Sequence, residues 1–527
     1  MTSVVTPISK KAFFMLSRFS ELSSHLNSLV DADPKLAIQE ARDLVLDGRD
    51  RLNMMSLRAA TLVNAGTSLD RKDAIDEGLE LYRELHDLYP TADMTYNLAN
   101  GLVEAANCGS AGSEWLDHQE QTRANRAEAR RCYWRVVQDV DADMELRTQA
   151  WANLANLFEK TYRLSEAHDA RLSALKVDPT NGVAAFCAAL SLMWLFQRGG
   201  CSELTRMEAV MLAKQALRNK ERIVQYAGVN VAAKVEALAS ELSDPPLRSN
   251  HTNPFIRWVE EERLTLAPAV ELVDPSLGKL DWLTLPGILE REPEVGSRPP
   301  PLFAMFNMLK SDFILARDLA WRARDESVWP RTGQYADTLD YAMYGPDTSA
   351  LILAHRTALD LLDKVAVTAN HYFELGVAPN KVGFGRLWRD SADKKTGSPL
   401  TKKVQGLIRS GVHALYGLAE LAEDYDGIDG ILRSQKELRN SGTHRFVVLH
   451  DLGDPSQARQ APEIEHLNRS DFIDEALRAL RVARAAIQML ALAISQHEEI
   501  LRKQSDGLIG TMVVPDHHWI RGEDEEF

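Results

Sequence analysis

Apolar residues recur along the first half of the chain at the three- and four-residue spacings of amphipathic helices, in units with a loose period in the thirties. The clearest unit runs from Trp151 to Pro179, with Trp151, Leu154, Ala155, Phe158, Ala167 and Ala174 spaced as two packed helices ended by the proline. Gly78, Tyr82, Leu85 and Pro90 suggest another, and Leu98, Ala99 and Leu102 open a third. That third unit closes with Ala129, Tyr133 and Val136 after an insertion around Cys108–Asn125, and a degenerate fourth occupies Ala184–Leu217. Small residues let paired helices approach, aromatics fill the space between pairs, and proline cannot continue a helix. From Asp244 the pattern breaks: Pro245, Pro246, Pro254, Pro268, Pro275, Pro286, Pro293 and Pro299-Pro300-Pro301 cannot all lie inside helices. Only Phe303–Arg324 reads as helical in that stretch.

Helical patterning resumes after Gly345-Pro346 without the repeat period. A cap at Asp347, Thr348 or Ser349 predicts a helix over Ala350–Leu375, stopped by Gly376. Ser398-Pro399 reads as an N-cap followed by proline at the first helical position. Leu400, Val404, Leu407, Gly411, Leu415, Leu418 and Ala422 then trace one face. A third helical segment follows, and Ser470-Asp471 opens a long helix whose apolar face includes Ile473, Leu477, Leu480, Ile487, Leu490 and Ile494. The pattern divides the chain into a helical repeat region at 1–243, a Pro-rich connector with a helix at 244–345, a helical bundle at 346–510 and an acidic tail at 511–527. The fold class is all-α.

Composition adds three constraints. With 527 residues, 45% of them hydrophobic and 26% charged, the chain supports several globular cores. No run approaches a membrane span and the apolar stretch after Lys10-Lys11 is too short for a signal sequence, so a cytoplasmic protein without membrane association is expected. Cys108, Cys132, Cys187 and Cys201 are far apart, with no Cys-x-x-Cys pair, which argues against a disulfide framework and a structural zinc site. A net charge of −15 confines any nucleic-acid contact to a local basic patch. Such a patch exists at Lys381–Arg409, where eight basic residues face only Asp390 and Asp393 and where Phe384 and Trp388 are interleaved. Arg389, Lys394, Lys395, Lys402 and Lys403 are its candidate RNA contacts. Alternatively it is a solvated loop that Trp388 anchors to the bundle.

The candidate chemistry lies in Lys436-Glu437-Leu438-Arg439-Asn440-Ser441-Gly442-Thr443-His444. A histidine titrates near neutrality and can move protons, and an arginine offers phosphate a permanently charged fork. Over five positions at about 100° each, Arg439 and His444 point roughly 140° apart on an unbroken helix. Ser441, Gly442 and Thr443 suggest a helix break there. The bland alternative is a surface arginine and a capping histidine. His517-His518 and the His444, His450 and Asp451 group lack ligand spacing, and Gly383-x-Gly385 follows no strand, so neither a metal nor another cofactor is expected.

Arg439-Asn440 followed by three residues and His444, placed before the last long helix of a small bundle, resembles the HEPN superfamily of metal-independent ribonucleases. The repeat region resembles tetratricopeptide (TPR) units, with Arg171 where an aromatic is usual. The resemblance implies an endoribonuclease, a toxin or anti-phage defence effector, with Arg439, His444 and Asn440 as its catalytic set and RNA as substrate. It implies a homodimer or higher homo-oligomer whose two copies complete one cleft, and a protein or phage-derived trigger on the TPR-like region. Phe446 stands where nucleotidylated toxins of that superfamily carry tyrosine, so silencing by that route is not expected. The alternative from another class is a non-catalytic scaffold that dimerises or binds RNA.

Overall fold

A computed structural model describes residues 10–46, 50–110, 112–197, 203–241, 253–267, 281–290, 298–330, 332–390, 398–505 and 513–514. Among them are nineteen α-helices and one three-stranded sheet. No helix among the described residues is long and apolar enough to cross a membrane.

The N-terminal helices are α1 (Lys10–Ala32), α2 (Pro34–Asp43), α3 (Arg51–Ser68), α4 (Lys72–Leu88), α5 (Ala92–Asn107), α6 (Trp115–Gln138), α7 (Met144–Lys160), α8 (Leu164–Val177), α9 (Gly182–Gln197) and α10 (Glu203–Leu217). From α3 onward they pack as successive pairs, each on its sequence neighbour. The apolar positions expected from the period, among them Tyr82, Leu98, Tyr133, Leu154 and Phe158, share one buried core. Of the insertion expected around Cys108–Asn125, the part from Trp115 onward is helical and lengthens α6 to 24 residues. Its added turns bury Gln119, Arg123 and Arg126. Arg171, unusual at its position, is buried and hydrogen-bonded to Ser191 and Glu159. Two short helices, α11 (Lys220–Ala227) and α12 (Val229–Ala239), close the repeat, and α13 (Pro254–Glu261) follows.

The C-terminal part comprises α14 (Pro301–Arg322), β1 (Ala342–Met343), α15 (Pro346–Tyr372), α16 (Lys402–Arg409), α17 (Ala414–Asp426), α18 (Arg433–His444), β2 (Phe446–His450), β3 (Ile464–Asn468) and α19 (Arg469–Gln504). The helix of the expected connector is α14, and its Phe306, Leu309 and Phe313 join α15, α17 and α19 in one core. The single helix expected after Pro399 is instead two. Leu400 pairs as extended chain with Arg389, Thr401 caps α16, and Gly411, at φ 118°, separates α16 from α17. The sheet was not anticipated: β2 runs antiparallel to β1 and parallel to β3. The alternation of Val447 and Leu449 places both against Leu351 and Phe472 of the flanking helices.

Bundle and repeat are joined through buried charge. From α6, Arg126 donates to Glu420 at 2.5 Å and Arg130 to Glu420 at 2.5 Å and to Asp424 at 3.1 Å. Arg163, at the turn into α8, bonds both Asp424 and Glu166. Three guanidinium groups thus meet three carboxylates, so the cluster is neutral despite complete desolvation of its centre. Burial raises the Glu420 carboxyl, but Arg130 and Arg126 outweigh it and hold the group down at about 2. Gly417 allows α17 to approach so closely, because a Cβ there would lie 2.9 Å from Met489 Sδ and 3.0 Å from the Thr161 carbonyl oxygen.

Candidate functional site

The site is organised by α18, which is continuous through Ser441-Gly442-Thr443, so the expected break does not occur. The polar side chains that could have competed with the helix are otherwise engaged. Thr443 Oγ1 donates back to the Arg439 carbonyl at 2.9 Å, and Ser441 Oγ, buried, accepts from Arg445 at 2.6 Å. Gly442 serves close packing: a Cβ would sit 3.2 Å from Arg356 Cδ and 3.5 Å from Ile352 Cγ2 of α15.

The same face of α18 turns Gln435 and Arg439 towards α15. His355 of α15, fully buried, donates from Nε2 to Gln435 Oε1 at 3.0 Å, and Gln435 bonds the Glu475 carboxylate of α19. Burial pushes the His355 imidazole down to about 4, so it is neutral near pH 7. This chain of bonds fixes the rotation of α18 about its axis, which in turn sets where Arg439 points.

Arg439 points at carboxylates. Its Nε donates to Asp360 at 2.8 Å and its Nη2 to Asp363 at 2.8 Å, while Nη1 lies 3.3 Å from the Tyr425 hydroxyl of α17. Asp363 is itself oriented by the Phe384 N–H, 2.9 Å from its other oxygen. Burial alone would favour a neutral Arg439, but Tyr425 and Asp363 outweigh it and hold the guanidinium charged. Asp360 and Asp363 remain 47% and 39% exposed, so the cluster borders solvent and its partners can be exchanged.

His444, the last residue of α18, and Asn440 are both exposed. Four positions apart on an unbroken helix, they share a face, from which Arg439 diverges by roughly 140° from His444. The structure therefore brings together Asn440 and His444, and separately Arg439 with Asp360, Asp363 and Tyr425. Sequence reasoning missed those three partners and His355. Asp360 and Asp363 did carry a faint signal, being two carboxylates three apart on a helix otherwise apolar on its inner face.

Part of the basic strip is engaged in internal bonds. Arg389 donates to both Glu120 oxygens, at 2.8 and 2.9 Å, and to the Ser398 carbonyl. In this structure its fork is filled by a carboxylate of α6. Arg409 likewise pairs with Asp117 at 2.5 Å. Phe384 and Trp388 are buried against each other in the core and offer no stacking platform. Lys402 and Lys403 are exposed at the start of α16, with Lys403 reaching the Glu374 carbonyl. Lys394 and Lys395 lie outside the described residues, as do His517-His518 and all of the acidic tail but Val513 and Val514.

Residues 294–497 match the family described as LA2681-like HEPN, a span that takes in α14 through most of α19 and hence Arg439, Asn440 and His444. The C-terminal bundle is thus similar to HEPN domains, and the N-terminal helices fall outside the match. No curated protein matches the chain.

Proposed function

We propose that the chain is a HEPN-type endoribonuclease, working as a homodimer and regulated by its TPR-like region, in the manner of a toxin or anti-phage effector. The observation that supports the reading is that Arg439, set between two half-exposed carboxylates, and the exposed His444 lie on one helix, α18, within the segment that resembles HEPN domains. On one α18 these groups diverge, so a second copy is what brings a histidine opposite an arginine. In the cleft, one His444 takes the proton of a ribose 2′-OH as its oxygen attacks the neighbouring phosphorus. The P–O5′ bond breaks, and the partner copy's equivalent imidazole returns a proton to O5′. The products are a 2′,3′-cyclic phosphate and a 5′-OH, with no metal in any step. Arg439 exchanges its carboxylates for phosphate oxygens as charge grows on the phosphorane. Asn440, on the His444 face, orients phosphate or imidazole.

Regulation has a physical route. Asp424 is held by Arg130 and Arg163 of the repeat, and its neighbour on α17, Tyr425, touches Arg439. A ligand that shifts α6 against α17 alters the polar shell of Arg439. One observation favours the scaffold reading: with Asp360 and Asp363 in place, Arg439 presents no net positive charge. The experiment that separates the two is incubation of the wild type and of His444→Ala with total RNA. Fragments ending in 2′,3′-cyclic phosphate from the wild type alone support the ribonuclease, and intact RNA bound equally by both supports the scaffold.

A further inference from the structure

We infer that the small sheet carries a binding site for a divalent transition cation of the zinc class, formed by Asp340, His450 and His466. One ligand atom from each lies within 4.8 Å of the other two, with His450 buried and its companions half-buried. The sheet produces this clustering. His466 pairs with Val448 across the parallel β2–β3 register, so His450, two residues on, projects from the same face. Asp340 is brought alongside by the antiparallel pairing of Ala342 with His450.

The histidines are arranged as ligands. The Nδ1–H of His450 donates to the main-chain oxygen of Asp340 at 2.8 Å, and since a carbonyl can only accept, the lone pair of neutral His450 is at Nε2. A metal-bound imidazole is commonly held by this kind of bond from its other nitrogen. His450 Nε2 faces His466 Nδ1 at 2.9 Å. Two nitrogens on one tetrahedral zinc at ordinary bond lengths are about 3.3 Å apart, so a cation fits between them after a small outward shift of the rings. Asp340 accepts from Thr338 Oγ1 at 2.5 Å and from the Ala342 N–H at 3.3 Å through the same Oδ1, which leaves Oδ2 as the third ligand. Leu339 and Tyr341, on either side of Asp340, both have left-handed backbones, at φ 60° and 61°. Side chains seldom adopt that conformation, and here it turns both the carbonyl and the carboxyl of Asp340 towards His450. Two imidazoles and one carboxylate select zinc-like cations over magnesium or calcium, with water completing the shell.

The site staples the lead into β1 and the middle of β3 to the end of β2. Since β2 starts two residues after His444, the cation also fixes the chain that leaves α18. His450 lies about 13 Å along β2 from its first residue, Phe446, so the site is apart from the proposed RNA chemistry and does not rest on it.

The test uses the full chain, stripped with EDTA, exchanged into metal-free buffer and titrated with Co(II) and then Zn(II). One equivalent of Co(II) should bind with the visible bands of a low-coordinate site, and Zn(II) should displace it and raise Tm by several degrees. Asp340→Asn should weaken binding about 10- to 100-fold, and His466→Asn and His450→Asn should remove the bands. Circular dichroism checks that each variant folds, and if His450→Asn does not, the other two suffice. Absence of bands and of any Tm shift in the wild type, or equal binding by His466→Asn, overturns the proposal.

Discussion

Two arginine–carboxylate clusters in this molecule share the same pairing chemistry and differ most in their access to water. Around Glu420 and Asp424, three arginines are at most 3% exposed, and every charge has a fixed partner. Around Arg439, one arginine at 22% exposure faces two carboxylates that remain open to solvent. Desolvation makes the first cluster a lock, because a partner removed there leaves a bare buried charge that nothing replaces. Solvent makes the second exchangeable: water or a phosphate can take the place of a displaced carboxylate at little cost. Position, and not residue type, separates the locked arginines from the one whose partners can be exchanged.

On the ribonuclease reading, the largest expected effect is on RNA cleavage, through α18 and its open arginine cluster. His444→Ala should lower single-turnover RNA cleavage about 10²–10⁴-fold, the usual loss on removing a general acid or base. Arg439→Lys should lower it about 10²–10³-fold, because lysine retains the charge without the planar fork. Both should fold normally by circular dichroism. An active Arg439→Lys enzyme would show that the arginine, like those of the lock, is structural.

Next comes the lock itself. Glu420→Ala should destabilise the chain by about 3–5 kcal/mol in a denaturant titration, because two buried guanidinium groups lose their shared partner. Replacing Arg126, Arg130 and Glu420 together by apolar residues of similar volume should cost much less. If the triple variant is as unstable as the single one, the charges contribute through attraction rather than through the penalty of being left unpaired.

Acid should dismantle the interior in two stages. His355 is pushed down to about 4, below the ordinary histidine value near 6.5, so between those pH values only the unfolded chain binds its proton. Its contribution is complete above pH 6.5 and is lost as pH falls towards 4, on the order of 3 kcal/mol in all. Glu420, held at about 2 against an ordinary 4.5, acts lower: its contribution is complete above pH 4.5 and is lost towards pH 2. Tm measured against pH should decline in both ranges. His355→Gln should flatten the upper one and Glu420→Gln the lower.

The smallest effect sharpens the comparison most. Asp360→Asn with Asp363→Asn should raise RNA affinity only a few-fold to about tenfold, as expected when exposed ion pairs worth about 0.2–1 kcal/mol each are removed. Stability should hardly change. A large loss of stability would mean that the Arg439 cluster is a second lock.

The sequence alone determined most of what depends on local periodicity. The spacing of Trp151, Leu154, Phe158 and Ala167 predicted the α7–α8 pair, and the face from Ile473 to Ile494 predicted α19, because a helix with one apolar side must bury it. The Arg439–His444 motif was legible for the same reason, as a short run of chemically useful residues on one helix. Local rules failed where a distant partner outweighed them. Gly442 read as a helix breaker and is a point of close approach to Arg356, because tertiary packing outweighs a propensity of about 1 kcal/mol. The basic strip read as an RNA surface, but Glu120 and Asp117 on the lengthened α6 claim Arg389 and Arg409. The His450 and His466 pair was invisible because a register joins strands, and registers are set by packing between segments that no short window contains. What Arg439 faces was decided in the same way. Asp360, Asp363 and Tyr425 are fourteen to seventy-nine residues away in sequence, and only the rotation of α18, fixed by His355 and Gln435, brings them to its side chain.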